Sequence, residues 1–216
     1  MTESLSWLDR LAHDLRGPLM PLQTAAYLLR RGQVDPERQQ ELLALIERQT
    51  RRLAGMIDEL GDWSHVLQRT LLLAREPCVP ALLLDDAVGA NALVGRFRPD
   101  IVDDSGDAQV EGDPVRLTQL LRTLLEFATR LRPARVRMHA VDGELRIEVL
   151  DAGATPDAGQ LATLLEQPMP EPFDEGLGLR LLIARAIAEA HAGSLEAGVA
   201  PDGGLRLYCR LPLAAA

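Results

Sequence analysis

Residues 11–19, Leu-Ala-His-Asp-Leu-Arg-Gly-Pro-Leu, place a histidine and an acid inside an amphipathic helical pattern that a proline then interrupts. Imidazole is nucleophilic near neutral pH, so His13 can accept a transferred group. The neighbouring carboxylate of Asp14 can orient the ring, hold its tautomer and accept its proton. The stretch therefore predicts a phosphoryl-acceptor histidine on a helix.

The helix that carries this stretch is predicted to be long. Apolar residues recur at three- and four-residue spacing over residues 6–31, which corresponds to about 39 Å of helix. Pro18 and Pro21 lack the backbone N–H that the helical ladder uses, so we expect a bend just after His13.

A second helix follows after a short turn. Asp35 is predicted as its N-cap and Pro36 as its first helical residue. A near-heptad apolar stripe continues over residues 42–63. Because one helical hairpin cannot bury such a stripe alone, we expect two copies to pair into a four-helix bundle, which makes the protein a homodimer.

The rest of the chain is predicted to form a second domain. Residues 76–80 indicate a linker and entry strand, so the predicted boundary divides residues 1–75 from residues 76–216. The alternating patterns favour an α+β fold in which helices cover one face of a mixed sheet. Helices are predicted over residues 81–93, 113–130 and 179–191, and strand segments over 101–102, 109–110, 136–140, 145–150, 194–198 and 205–211. Asp113 and Pro114 are predicted to cap the second of these helices, and Asp142-Gly143 to form a hairpin turn.

Composition argues against several functions. The net charge of −9 disfavours nucleic acid as a partner, because phosphate backbones attract a basic surface. No apolar run approaches the length of a membrane span, and the first residues lack a signal-peptide pattern, so we expect a cytoplasmic protein. Cys78 and Cys209 lack the neighbours of a metal or redox motif, and no histidine has a ligand partner at metal spacing. We therefore predict reduced thiols and no metal site.

Four stretches resemble motifs of two-component sensor histidine kinases. The histidine stretch resembles the H-box, whose usual form is His-Glu/Asp-Leu-Arg-x-Pro-Leu. Residues 113–130 resemble the helix with the N-box, residues 151–153 the first half of the adenine-binding Asp-x-Gly-x-Gly, and residues 176–179 the second glycine box. The resemblance implies a dimeric phosphoacceptor hairpin followed by an α/β sandwich of the histidine kinase/Hsp90-like ATPase type.

The resemblance also assigns site residues. It makes His13 the phosphoryl carrier, with Asp14 and Arg16 as its catalytic partners. In the ATPase-like domain, the retained nucleotide-binding positions are Arg130, Asp151, Gly153, Gly176 and Gly178.

Several departures from the family pattern affect this nucleotide site. Thr123 and Phe127 stand where the N-box has asparagines. In the family the second asparagine coordinates the Mg²⁺ that bridges the nucleotide phosphates, and phenylalanine offers no oxygen. Thr155 replaces the second glycine of the adenine box, and residues 169–175, the remnant of the ATP lid, carry carboxylates that would repel a polyphosphate. The sequence therefore predicts a vestigial nucleotide site and no required cofactor.

The helix around the histidine suggests how a partner is used. Gly17 falls where many family members carry a side chain that positions water for phosphatase action, so phosphatase action by that route is not expected. The helix beyond His13 is the predicted docking surface for a response-regulator receiver domain, which includes Met20, Thr24, Tyr27 and Leu28.

Three hypotheses for function follow. The favoured one is a histidine phosphotransferase that exchanges a phosphoryl group between His13 and a receiver aspartate, because the receiver would bring its own Mg²⁺ and acidic pocket. The second is an ATP-dependent autophosphorylating kinase with a divergent ATP site, against which Phe127 argues. The third is a non-catalytic adaptor that binds receivers, against which the intact H-box argues.

Overall fold

The computed structural model describes residues 2–32, 34–71, 73–91, 99–129, 134–151, 153–170, 172 and 176–214 of the chain. Backbone contacts divide the chain into a helical unit that extends to Asp62 and an α/β unit that begins at Trp63. This division falls inside the second helix, and the predicted boundary at residues 75 and 76 stays a prediction.

Two helices form the helical unit: α1 spans Thr2–Arg30 and α2 spans Pro36–Gln68. The carboxylate of Asp35 accepts a hydrogen bond from the Arg38 N–H at 2.8 Å, which confirms the predicted N-cap of α2. Pro18 and Pro21 lie inside α1. The buried apolar residues of these helices include Pro18, Ala25, Leu42 and Met56.

The α/β unit contains the remaining elements. Its helices are α3 (Pro80–Asn91), α4 (Pro114–Ala128), α5 (Ala158–Leu164) and α6 (Arg180–Ala190). Its strands are β1 (Glu76–Cys78), β2 (Asp100–Asp104), β3 (Val110–Gly112), β4 (Ala134–Val141), β5 (Glu144–Asp151), β6 (Ser194–Val199) and β7 (Leu205–Pro212).

The five-stranded sheet is mixed, as predicted, in the order β2-β4-β5-β7-β6. Strand β2 runs parallel to β4, and all the other neighbours are antiparallel. Strands β1 and β3 form a separate antiparallel pair. The predicted turn between β4 and β5 is present, because Asp142 and Gly143 both take the left-handed φ of 53° and 77° that a tight hairpin turn needs.

The core of this unit lies between the sheet and its helices. Helix α4 packs on β4 and β5, and α6 packs on β6 and β7. Side chains alternate along the strands, so that Ile147 and Leu207 are buried while Glu148 and Tyr208 lie on the opposite, polar face. Among the described residues, no helix has the length and apolar character that a membrane span requires.

The helix ends match the predictions closely. Helix α3 begins at Pro80 and is described as far as Asn91, and the predicted end at residue 93 lies outside the described residues. Asp113 caps α4, which ends at Ala128, and Arg130 lies outside the described residues. Helix α5 was not predicted.

Candidate functional site

His13 stands exposed on α1 with its ring held by the next residue. Its side chain is 86% exposed, and its Nδ1 lies 3.2 Å from Oδ1 of Asp14. An ionised carboxylate only accepts hydrogen bonds, so we assign the ring proton to Nδ1. This tautomer leaves the Nε2 lone pair free to attack an electrophile.

The surface around His13 combines charge, a small residue and apolar side chains. Arg16 is exposed one turn further along α1. A Cβ built on Gly17 meets no atom within 4 Å, so this face of the helix is open. Met20 and Tyr27 are 68% and 59% exposed. Of the other predicted docking residues, Thr24 is exposed and Leu28 is half-buried.

Helix α4 buries the two positions that stand for the N-box asparagines. Thr123 and Phe127 lie four residues apart and thus on the same side of the helix, at 4% and 5% exposure. The Thr123 hydroxyl donates to the Gln119 carbonyl oxygen at 2.9 Å. The Phe127 side chain has no oxygen that could bind a cation.

Glu126 directs its carboxylate towards α6. Its Oε2 accepts a hydrogen bond from Nη1 of Arg180 at 2.5 Å, and its Oε1 lies 3.7 Å from Nε of Arg122. Arg180 is the first residue of α6, directly after the glycine box. The pair therefore links α4 to the start of α6.

The adenine-box residues are engaged with one another at the end of β5. Oδ1 of Asp151 accepts a hydrogen bond from the Gly153 N–H at 2.9 Å. A Cβ on Gly204, in the turn between β6 and β7, would lie 2.0 Å from the Asp151 carbonyl oxygen, so that turn packs directly on Asp151. The Thr155 hydroxyl lies 3.5 Å from the Gly204 nitrogen. Only a glycine fits at position 204, because any Cβ there would overlap the Asp151 backbone.

The glycine box leads into α6. Gly178 has a φ of 77°, and its carbonyl oxygen accepts a hydrogen bond from the Met169 N–H at 3.0 Å. Gly176 lies in a short segment that is assigned to the helical unit. It is therefore described separately from Gly178. Arg130 lies outside the described residues.

Neither N-box position presents the amide oxygen that the family pattern places there for Mg²⁺. The N-box position that should supply an oxygen is the buried Phe127, and the Thr123 hydroxyl is engaged with its own helix. Within the described ranges, no group of three or more His, Cys, Asp or Glu side chains could hold a metal ion.

A hydrogen-bond cluster around the buried residues Asp113 and His191 fastens the segment before β1 to the rest of the α/β unit. The Asp113 carboxylate accepts from the Ala74 and Arg116 N–H groups at 2.9 Å and 3.0 Å, and Arg75 donates to the Ala190 carbonyl oxygen at 2.7 Å. The Asp113 N–H donates to Nε2 of His191 at 3.0 Å. The sequence predicts Asp113 as a helix cap, whereas its bonds to Ala74 and His191 join residues that are 39 and 78 positions apart and have no local signal.

Burial and hydrogen bonding set the protonation states of this cluster. Desolvation lowers the pKa of His191, an effect to which the nearby Arg75 charge adds, so the ring is neutral in the fold. Although burial alone would raise the pKa of Asp113, the hydrogen bonds from backbone N–H groups outweigh it and lower that pKa. The cluster thus pairs a neutral imidazole with an ionised carboxylate.

Two family models match the chain. The His Kinase A (phospho-acceptor) domain matches residues 5–68, and the histidine kinase-, DNA gyrase B-, and HSP90-like ATPase domain matches residues 112–215. The sensor protein KdpD of Mycobacterium tuberculosis is 31% identical over 95% of this chain, and the histidine protein kinase DivJ of Caulobacter vibrioides is 28% identical over 96% of it. The chain spans 26% and 37% of those two proteins.

Solved structures share the fold. The histidine kinase AdeS of Acinetobacter baumannii has a TM-score of 0.69 at 20% identity, with 94% of this chain and 98% of that chain covered. Full-length ShkA in complex with AMPPNP has a TM-score of 0.68 at 22% identity, with 96% of this chain and 46% of that chain covered.

Proposed function

Because this chain belongs to the histidine kinase family of two-component signalling proteins, we propose that it acts as a histidine phosphotransferase. His13 accepts a phosphoryl group from the receiver aspartate of a response regulator and can pass it back to a receiver aspartate. The observation that carries this proposal is a contrast within the chain. His13 is exposed and oriented by Asp14, whereas the N-box position for a metal-binding oxygen is the buried Phe127.

The geometry at His13 suits a direct exchange. Nε2 attacks the phosphorus of the receiver's aspartyl phosphate, so that a P–N bond forms while the P–O bond breaks and the aspartate leaves as a carboxylate. The ring keeps its Nδ1 proton, and the Asp14 carboxylate at 3.2 Å stabilises the positive charge that develops on the imidazole. The reverse reaction uses the same groups.

The partners we propose are a second copy of the chain and a receiver domain. Exposed apolar side chains on both helices, including Leu19 at 41% exposure on α1 and Ile57 at 62% exposure on α2, support pairing into a four-helix bundle. Exposed residues on α1 beyond His13 then remain for the receiver, with Arg16 beside the transferred phosphoryl group as an electrostatic partner. No cofactor on this chain is needed for the exchange.

Chemical loading tests this proposal. The purified protein is treated with phosphoramidate, a small phosphoryl donor, and then offered receiver domains from its source organism. We expect an acid-labile phosphoryl group on His13 that passes to a receiver. The variant His13→Ala should carry none, whereas His65→Gln, which changes another exposed histidine, on α2, should behave as the wild type. Failure of every receiver to accept the group from the loaded protein would count against the proposal.

An ATP-dependent autokinase is the second candidate. The ATPase-like family model matches residues 112–215, and Asp151, Gly153 and Gly178 keep their family positions. In that case Mg²⁺ and labelled ATP alone would label His13 in the wild type and leave His13→Ala unlabelled. Such labelling would replace the phosphotransferase proposal.

A further inference from the structure

The glycine turn before α6 is held closed by protein contacts on one side. The N–H of Met169 donates to the Gly178 carbonyl oxygen at 3.0 Å. A Cβ on Gly178 would lie 2.4 Å from the Met169 carbonyl oxygen, and the φ of 77° favours glycine. The two backbone segments therefore pack without space between them.

On its other side, the turn is followed at once by Arg180, which pairs with Glu126. The guanidinium and carboxylate meet at 2.5 Å between side chains that are only 24% and 15% exposed. Exposed ion pairs contribute little to stability because water screens them, but loss of one partner from a partly buried pair leaves a poorly solvated charge. Glu126 lies on α4 and Arg180 begins α6, 54 positions later in the chain. The pair therefore fixes α6 against α4.

We propose that Glu126 is a positioning residue that fixes Arg180 and thereby keeps the glycine turn closed on Met169 without a bound nucleotide. The inference rests on the proposed function, in which the α/β unit works without ATP. The ion pair joins α4 to the glycine box. In the histidine kinases that this chain resembles, a nucleotide and its Mg²⁺ join the same two elements. An internal ion pair thus does the fastening here.

Amide hydrogen exchange at Met169 tests this inference, because its N–H bonds directly to the glycine turn. We expect Glu126→Gln and Arg180→Gln each to speed this exchange about tenfold. The effect of the double variant should be smaller than the sum of the two single effects, because both substitutions remove the Glu126–Arg180 pair, while Glu126→Gln also changes the 3.7 Å contact with Arg122. Arg180→Lys keeps the positive charge and should retain most of the protection.

Two controls separate this local effect from general destabilisation. Arg38→Gln removes an ion pair with the same 2.5 Å separation whose side chains are 59% and 56% exposed, so Met169 exchange should not change. The amide of Ile147, in the centre of the sheet, should keep its protection in every variant.

Unchanged Met169 exchange in Glu126→Gln, or effects that simply add in the double variant, would overturn the inference. Equal acceleration at Met169 and Ile147 would also overturn it, because the pair would then stabilise the whole unit and not the turn. None of these readouts involves His13. A failure of the phosphotransferase proposal, seen as labelling of His13 by ATP, is therefore distinguished from a failure of this one.

Discussion

The N–H of Asp113 donates a 3.0 Å hydrogen bond to Nε2 of His191, whose side chain is 1% exposed. The other ring nitrogen, Nδ1, lies 2.8 Å from the Ile187 carbonyl oxygen and donates to it. Protonation of Nε2 would remove the acceptor of the Asp113 N–H inside the fold. The end of α6 is therefore tied to the start of α4 through a neutral imidazole.

Acid should destabilise the α/β unit through this residue. The folded-state pKa of His191 lies below its unfolded value of about 6.5, so below that pH the unfolded chain binds a proton that the folded chain does not. Stability is thus fully present above about pH 6.5 and falls as the pH drops from there through the folded-state pKa. The thermal midpoint measured between about pH 7.5 and pH 5.5 should show this fall.

Substitution distinguishes the contribution of His191 to the pH dependence of stability from that of other histidines. His191→Gln should lower the midpoint at neutral pH and flatten its dependence between about pH 7.5 and pH 5.5, because the titrating group is gone. His139→Gln, in strand β4, should keep the wild-type dependence. An undiminished dependence in His191→Gln would assign the titration to another group.

Gly61→Ala should stabilise the helical unit. Gly61 lies inside α2 and is exposed, and a Cβ there meets no atom within 4 Å, so the substitution brings helix propensity without a clash. The expected gain in the free energy of unfolding is about 0.5–1 kcal/mol, measured by denaturant titration. Phosphoryl loading of His13 should be unchanged. A loss of stability would mean that this face of α2 is covered in the assembled protein.

Gly193→Ala should destabilise the α/β unit strongly. A Cβ at position 193 would lie 2.1 Å from the Arg210 carbonyl oxygen, which is backbone and cannot move aside alone. We expect a loss of at least about 1–3 kcal/mol in denaturant titration. Gly198→Ala, in the following strand with open space around its Cβ position, is the matched control and should lose much less. Equal effects of the two substitutions would contradict the packing at Gly193.

The two cysteines should resist alkylation in the folded protein. Burial raises the pKa of Cys209 to about 12, and burial together with the Glu76 charge raises that of Cys78. Because the thiolate is the reactive form, iodoacetamide at mildly alkaline pH should leave both unmodified until a denaturant is added. Mass spectrometry checks this, and fast modification of Cys209 in the native protein would contradict its place in the core.

Local chemistry made much of the fold predictable. The N-caps at Asp35 and Asp113 follow from carboxylates placed before apolar helical patterns, and the turn at Asp142 follows from an Asp-Gly pair between alternating strands. Helix α5 was missed because it is short and has no buried residue, although Asp157 and Gln160 form a capping box that gives a recognisable signal.

Contacts between distant residues could not be predicted in the same way. Glu126 meets Arg180 across 54 positions, and Asp113 meets His191 across 78. Neither pair has a local spacing that marks it, because both depend on how α4 and α6 lie on the sheet. Helix geometry turns Glu126 about 100° away from the Phe127 position, but it does not indicate the partner of Glu126.

In the function that we propose, His13 exchanges its phosphoryl group with receivers and not with ATP. One preparation of the protein is incubated in separate reactions with two labelled phosphoryl donors. The first donor is γ-labelled ATP with Mg²⁺, and the second is a labelled phosphorylated receiver domain. The acid-labile label on the protein is then quantified, with His13→Ala as the blank. We predict label on His13 from the receiver and none above the blank from ATP. Label from ATP on His13 would contradict the claim.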